Sequence, residues 1–444
     1  MKSEITFKKI NKLAIPALIA GIAEPILSLT DAAIIGNMDT NATVSLAAVG
    51  IVTTFLSMLI WVLGQTRSAI SSIVSQYFGA NKIDEVKNLP AQAIFLITSL
   101  SLVIILTTYP FARSIFQIYN ATGDILDYCV MYYRIRVFGF PFTLFTIAVF
   151  GTFRGLQNTY DPMLIAIVGA SSNILFDVIL VYGVDGVIPA MHIEGAAYAS
   201  VIAQILMAAM SAFYILKKTD IPLIASFPLN PEIKRFTLMI LNLFVRTIAL
   251  NLALYFATSF ATKYGEQYIA AYTIAINLWF FGAFLIDGYA SAGNILSGRF
   301  FGAQSYDTLV NLSNKLIKYG IAAGVCIAVL GAIFYYPIGT IFSNDTAVLN
   351  EFYKVFWIVL AMQPICALAF IFDGVFKGLG KMKYLRNVLL GSTLLVFIPV
   401  ILYSDYLDYK LYGVFIAFTL WIVARGLPLI IKFRKMFKPL AQNS

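Results

Sequence analysis

Leu13–Ile35 reads LAIPALIAGIAEPILSLTDAAII, an apolar run long enough to cross a bilayer core of about 30 Å. It carries two carboxylates, Glu24 and Asp31, and two prolines, Pro16 and Pro25. A carboxylate at membrane depth costs several kcal/mol unless it is neutralised, paired or hydrated, so each marks a candidate functional position. Glu24 and Asp31 are seven residues apart, which places them on one helical stripe about 10 Å long. Each proline removes a backbone hydrogen bond and gives the helix a place to bend. The run predicts a bendable helix coupled to ion binding.

Working outward, the 444 residues are 60% hydrophobic and only 12% charged, where soluble domains carry about a quarter charged. That is the composition of an all-α integral membrane protein. The net charge of +9 is no nucleic-acid signal, because Lys and Arg are scattered through short loops rather than gathered in a stripe. Cys129, Cys326 and Cys366 stand alone in apolar helices and read as buried small hydrophobes. With one histidine, His192, they build no metal site. No small-residue cleavage site follows the first apolar run, which is therefore expected to remain as an uncleaved first span.

Spanning runs recur twelve times. The first six are Leu13–Ile35, Val44–Gly64, Ala91–Tyr109, Tyr128–Phe150, Met163–Tyr182 and Gly195–Ile215. The second six are Phe236–Thr262, Tyr268–Ala290, Tyr319–Ile338, Phe352–Phe376, Arg386–Tyr403 and Leu411–Ile431. Between them Lys217–Arg235 has three prolines and charged ends, the one stretch composed like a linker. The expected organisation is a first lobe over 1–216, a connector over 217–235 and a second lobe over 236–444. The loop cations favour the side of the N-terminus and leave only Arg113, Lys263, Lys354 and Lys410 opposite, so both termini are expected in the cytoplasm.

The halves repeat. LAAVGI at Leu46–Ile51 returns as IAAYTI at Ile269–Ile274, and FGA at Phe78–Ala80 returns at Phe301–Ala303. FRGL at Phe153–Leu156 returns as FKGL at Phe376–Leu379, and all three pairs lie 223 residues apart. Six spans per half give both copies the same orientation, as parallel repeats about an axis along the membrane normal. Such symmetry suits a transporter whose lobes rock around a central cavity.

In the first lobe, Asn173 and Asp177 are four apart and share a helix face, and Ser200 sits in GAAYASVIAQ one or two turns into the next span. With Asp31 they offer carboxylate, amide and hydroxyl oxygens, a set that suits a proton or a small hard cation. The competing reading of Asn173 and Ser200 is helix–helix hydrogen bonding. Two acids brought together in low dielectric resist simultaneous ionisation, which would let protonation gate the site. In the second lobe, Asp287 and Asp373 fall near the cytoplasmic ends of their spans. They read as structural ion-pair partners of Arg246 or Arg386. Arg67, Arg134 and Arg136 need partners in the first lobe that sequence does not name.

These residues resemble the multidrug and toxic compound extrusion (MATE) transporters. PILSLTDAAIIGN, FRGLQNTYDPM at Phe153–Met163 and GAAYASVIAQ carry the resemblance in the first half. RTIAL at Arg246–Leu250, DGYASAG at Asp287–Gly293 and DGVFKGLGKMKYLRN at Asp373–Asn387 look like the DinF-like branch. The resemblance covers essentially the whole chain and implies a V-shaped fold of two six-helix lobes. It implies export of amphipathic, often cationic compounds from the cell through the inner or plasma membrane, driven by inward H⁺ or Na⁺. It also implies a monomer with no cofactor beyond the coupling ion. Asp31, Asn173, Asp177 and Ser200 match the branch's first-lobe proton or Na⁺ site, with Ser where Thr is common. A tyrosine of the fourth span belongs to that site, with Tyr132 the first choice and Tyr133 the second. The tenth span lacks the acid that other branches place before the FKGL-like motif, so no coupling site is expected in the second lobe.

Two other classes bear on the same residues. A flippase for a lipid-linked glycan would share the helical plan but favour a more basic cavity. A membrane-embedded enzyme would need catalytic groups on substantial loops, and no nucleophile–base pair or metal cluster is present in the sequence.

Overall fold

The computed structural model describes residues 5–38, 41–184 and 186–442, with the side chains of 23–29 outside that description. The chain opens with α1 (Phe7–Gly36), α2 (Ala42–Leu63), α3 (Thr66–Gly79), α4 (Leu89–Thr108), α5 (Ala112–Ile118) and α6 (Gly123–Arg136). It continues with α7 (Phe140–Gly155), α8 (Tyr160–Tyr182), α9 (His192–Lys218), α10 (Glu232–Lys263), α11 (Glu266–Gly302) and α12 (Tyr306–Ile333). The last elements are α13 (Tyr335–Phe342), α14 (Thr346–Gly378), α15 (Met382–Ser392), α16 (Ile398–Tyr406) and α17 (Lys410–Gln442). Among the described residues eleven helical stretches are long and apolar enough to cross a membrane. The first expected span lies within the thirty residues of α1.

Three local departures from the expected spans have chemical causes. Tyr128–Phe150 is not one helix: α6 ends at Arg136, a 3-10 turn covers Val137–Gly139, and α7 begins with Pro141 near its first position. Pro141 has no N–H and its ring crowds the carbonyl four residues back, so the ladder cannot run through. The second helix is followed after Gly64 by α3, whose Thr, Ser and Gln residues interrupt the apolar pattern. The connector is shorter than its composition suggests, because α9 runs through Lys218 and α10 starts at Glu232.

The chain packs as two compact units. The first comprises Ile19–Val74 and Lys82–Thr237, the second Met1–Leu18, Ser75–Asn81 and Leu238–Ser444. These limits cut through α1 after Leu18 and α3 after Val74, rather than following the two halves of the sequence. In the second unit, Lys315 Nζ donates to the Ile5 carbonyl (2.5 Å), and the Phe7 and Tyr319 rings meet edge to face at 4.8 Å. Gln76 Nε2 donates to the Gly378 carbonyl (2.7 Å), and the Arg299 guanidinium lies 5.5 Å from the Phe78 ring centroid.

The first unit has its core among α2, α5 and α6, where Phe55, Phe116 and Tyr133 form an edge-to-face cluster. The second is built on α14, whose buried Phe352, Phe356, Phe372 and Phe376 anchor the largest apolar core. The connector is tied to the first unit. Gln92 Nε2 donates to the Ser226 (2.6 Å) and Pro228 (3.3 Å) carbonyls, and Gln92 Oε1 accepts from the Asn230 backbone N–H (2.8 Å). Asn230 Nδ2 reaches the Glu85 carbonyl (2.8 Å).

The internal repeat is visible in backbone packing. A Cβ on Gly155 would collide with Val74, and one on Gly378 would collide with Ser297, positions equivalent at the 223-residue offset. Gly79 lies against the Arg299 carbonyl and Gly302 against the Gln76 carbonyl. Those four residues are two equivalent pairs, so the end of α3 and the end of α11 cross reciprocally inside the second unit. Only glycine allows the backbones so close.

Candidate functional site

The acids predicted for the first lobe converge in the first unit. α1 delivers Asp31, α8 delivers Asn173 and Asp177 from one face, and α9 delivers Ser200. All four are buried. Asn173 Nδ2 donates to Asp177 Oδ2 (3.0 Å), and Ser200 Oγ donates to Asp31 Oδ2 (3.4 Å). The two carboxyl groups are within hydrogen-bonding reach of each other. Their remaining oxygens, Asp31 Oδ1 and Asp177 Oδ1, are buried with no donor among the described groups. Two carboxylates in contact need a proton or a cation between them, and oxygen donors of this kind suit hard cations.

Tyr132 belongs to the same cluster. It is buried on the last turns of α6, within electrostatic reach of both acids. Tyr133, the second choice, faces the apolar core and donates to Thr108 Oγ1 (2.5 Å). Arg136, the last residue of α6, lies beside Tyr132 and within electrostatic reach of Asp31 and Asp177. Sequence reasoning left Arg136 without a partner, and its position one turn beyond Tyr132 was the available signal. Arg134 points elsewhere, 5.5 Å from the Tyr109 ring centroid. The Glu24 and Pro25 side chains lie outside the described residues, and Pro16 is half-buried in the share of α1 that packs with the second unit.

Of the ion pairs predicted for the second lobe, that of Arg246 with Asp373 forms, and among the described residues the others do not. Arg246 Nη2 contacts Asp373 Oδ1 at 2.6 Å, but two further cations share that carboxylate. Lys377 Nζ is 3.3 Å from Oδ2, and Arg425 Nη2 is 3.6 Å from Oδ1. Neither Arg425 nor Lys377, the lysine of the FKGL repeat, stands out in the sequence as a partner of Asp373. Arg386 is not part of this cluster: its Nε and Nη2 donate to Asn387 Oδ1 (3.0 and 2.8 Å). Asp287 is exposed, with Lys377 within electrostatic reach. Cys326 is exposed as well, on α12, whereas Cys129 and Cys366 are buried.

The chain and its fold have relatives. A MatE family model matches residues 16–179 and 243–402, one stretch in each half. The chain is 24% identical over 442 residues to the DNA damage-inducible protein F of Escherichia coli K12, covering 97% of this chain and 93% of that protein. It is 21% identical to the multidrug export protein MepA of Staphylococcus aureus NCTC 8325, covering 89% and 86%. It is 28% identical to Protein DETOXIFICATION 42 of Arabidopsis thaliana over 257 residues, which is 57% of this chain. The matched stretches span about half the length of that protein and of Protein DETOXIFICATION 43, 48% and 55%. Among solved structures, a MATE protein in a bent conformation superposes with a TM-score of 0.90 at 20% identity, covering 98% of this chain and 96% of that one. The same fold in a straight conformation gives 0.87, covering 98% and 97%. Repeated halves, membrane helices and family matches in both halves lead to one assignment: the chain belongs to the MatE family, whose members are transporters rather than enzymes.

Proposed function

We propose that the chain is a secondary active exporter of amphipathic, chiefly cationic organic compounds, driven by inward movement of H⁺ or Na⁺. The observation that carries the reading is the contact of Asp31 with Asp177 inside a membrane unit, each keeping a buried oxygen without a donor. Asn173, Ser200 and Tyr132 complete an oxygen-lined site for the coupling ion. Arg136 balances one of the two charges when the site is empty, and ion binding then changes the charge carried by that part of the molecule. Pro16 and Pro25 weaken the backbone ladder of α1 and let Asp31 move with the site's occupancy. The lobes that exchange access are taken as 1–216 and 236–444, joined by 217–235. On this reading the protein works in the cell membrane as a monomer with both termini in the cytoplasm, as the loop cations suggest. Reconstituted vesicles with a pH gradient and a Na⁺ gradient imposed separately test the reading. Accumulation of a lipophilic cation under one gradient identifies the coupling ion, and accumulation under neither removes the antiport.

A further inference from the structure

We propose that the second unit holds a binding site for an oxyanion group of the phosphate class, built by Arg246 on α10, Lys377 on α14 and Arg425 on α17. It goes beyond the cation-coupled export above and stands independently of it.

The charge balance is the first observation. One carboxylate, Asp373, answers three cations, at 2.6 Å (Arg246), 3.3 Å (Lys377) and 3.6 Å (Arg425). Asp287 reaches Lys377 electrostatically from an exposed position and offsets only part of the excess. A structural ion pair needs one cation for one acid, and every further buried charge adds a desolvation penalty that ring contacts offset only in part.

Unused donors are the second. Arg246 and Arg425 are 5% and 4% exposed, and the Nε of each is buried without an acceptor among the described residues. Both guanidinium groups reach the same oxygen, Asp373 Oδ1, through Nη2, so the two cations flank one point. Two N–H donors beside an ammonium match the several oxygens of a phosphate group better than a single spherical ion.

Rigidity is the third. The Arg425 guanidinium is 5.1 Å from the Phe370 ring centroid and 5.7 Å from that of Trp421. Trp421 Nε1 in turn donates to Thr393 Oγ1 (3.0 Å), where the backbone makes a π-helical turn over Thr393–Phe397. Such turns are frequent at functional sites. Lys377, with 17% of its side chain exposed, is the least buried of the four and marks the side of entry.

Purified protein in phosphatidylcholine nanodiscs, kept in gluconate buffer, provides the test. Inorganic phosphate and a soluble short-chain phosphatidic acid are titrated separately, with binding read by calorimetry and the thermal midpoint read in parallel. The wild type is expected to bind with a raised midpoint. Arg425→Gln should weaken binding at least tenfold, and Asp373→Asn, which removes the competing carboxylate, should tighten it severalfold. A response to phosphatidic acid alone assigns the site to a lipid headgroup, and a response to inorganic phosphate assigns it to a free anion. Failure of both ligands to bind wild type and Asp373→Asn at millimolar concentration overturns the proposal. So does unchanged affinity in Arg425→Gln. If Arg425→Gln does not fold, the affinity of Asp373→Asn decides alone, and no tightening there is fatal.

Discussion

The acid cluster of the first unit and the basic cluster of the second solve the same problem with opposite signs. In the first, Asp31 and Asp177 lie within hydrogen-bonding reach of each other, and Arg136 is the cation beside them among the described residues. In the second, Asp373 is surrounded by Arg246, Lys377 and Arg425. The repeat makes the divergence concrete. At the 223-residue offset Asn173 and Asp177 correspond to Val396 and Val400, while Asp373 corresponds to Phe150. Only the cation persists, as Arg154 opposite Lys377. The two halves kept their helix packing and exchanged their buried charge, so the backbone contacts and the site chemistry varied independently.

The largest expected effect lies in transport. Asp31→Asn keeps the shape of a protonated side chain, so the protein should insert, fold and bind substrate. Gradient-driven accumulation in vesicles should fall to background, and Asp177→Asn should behave alike. Wild-type accumulation by a stable Asp31→Asn protein would separate the acid pair from coupling and end its contrast with the basic cluster as one of function.

Stability should move in the opposite sense in the two clusters. Neutralising Asp31 relieves like-charge contact and should leave the thermal midpoint unchanged or higher. Asp373→Ala strands three buried cations and should cost about 3–5 kcal/mol, the range for breaking a buried ion pair from one side. Equal midpoints for the two variants would show that the clusters are electrostatically alike after all.

A smaller effect is expected where the repeats agree. Gly79→Ala and Gly302→Ala each force a Cβ into a carbonyl and should each destabilise by about 1–3 kcal/mol. Similar losses by thermal unfolding would support equivalence of the two positions, and a loss at one alone would refute it. The smallest effect concerns the connector. Gln92→Ala removes its hydrogen bonds to Ser226, Pro228 and Asn230, at about 1 kcal/mol net, and should speed limited proteolysis within residues 219–231. An unchanged cleavage rate would mean that other contacts hold this segment to the first unit.

The helical plan and the acid site were legible for the same physical reason. An acid inside an apolar run is conspicuous, and the four-residue spacing of Asn173 and Asp177 already puts them on one face. Arg136 was harder to read: it lies one turn beyond Tyr132 on α6, but Arg134 stands two residues before it, and only the fold turns Arg134 to the Tyr109 ring and leaves Arg136 beside the acids. Arg425 sits close to Lys432, Arg434 and Lys435 in sequence, and its burial depends on contacts with Phe370 and Asp373 of α14, which the sequence does not reveal. Packing limits inside α1 and α3 were invisible because both helices continue unbroken through them. A backbone that changes neighbours without changing conformation leaves no mark in residue periodicity.

The reciprocal seating of Gly79 and Gly302 has the geometry of a contact between two copies of one subunit. A contact in which one surface meets its own copy is isologous, the kind that closes a two-fold homodimer. Here both copies lie on one polypeptide, so the crossing of α3 and α11 is a dimer interface made covalent. An interface of that kind is self-complementary: one favourable change acts twice when it is made in both copies. It also tolerates asymmetry elsewhere, since neither half can be lost from the other by dilution. The two copies carry different buried charges while the reciprocal glycine contact between α3 and α11 is the same in both.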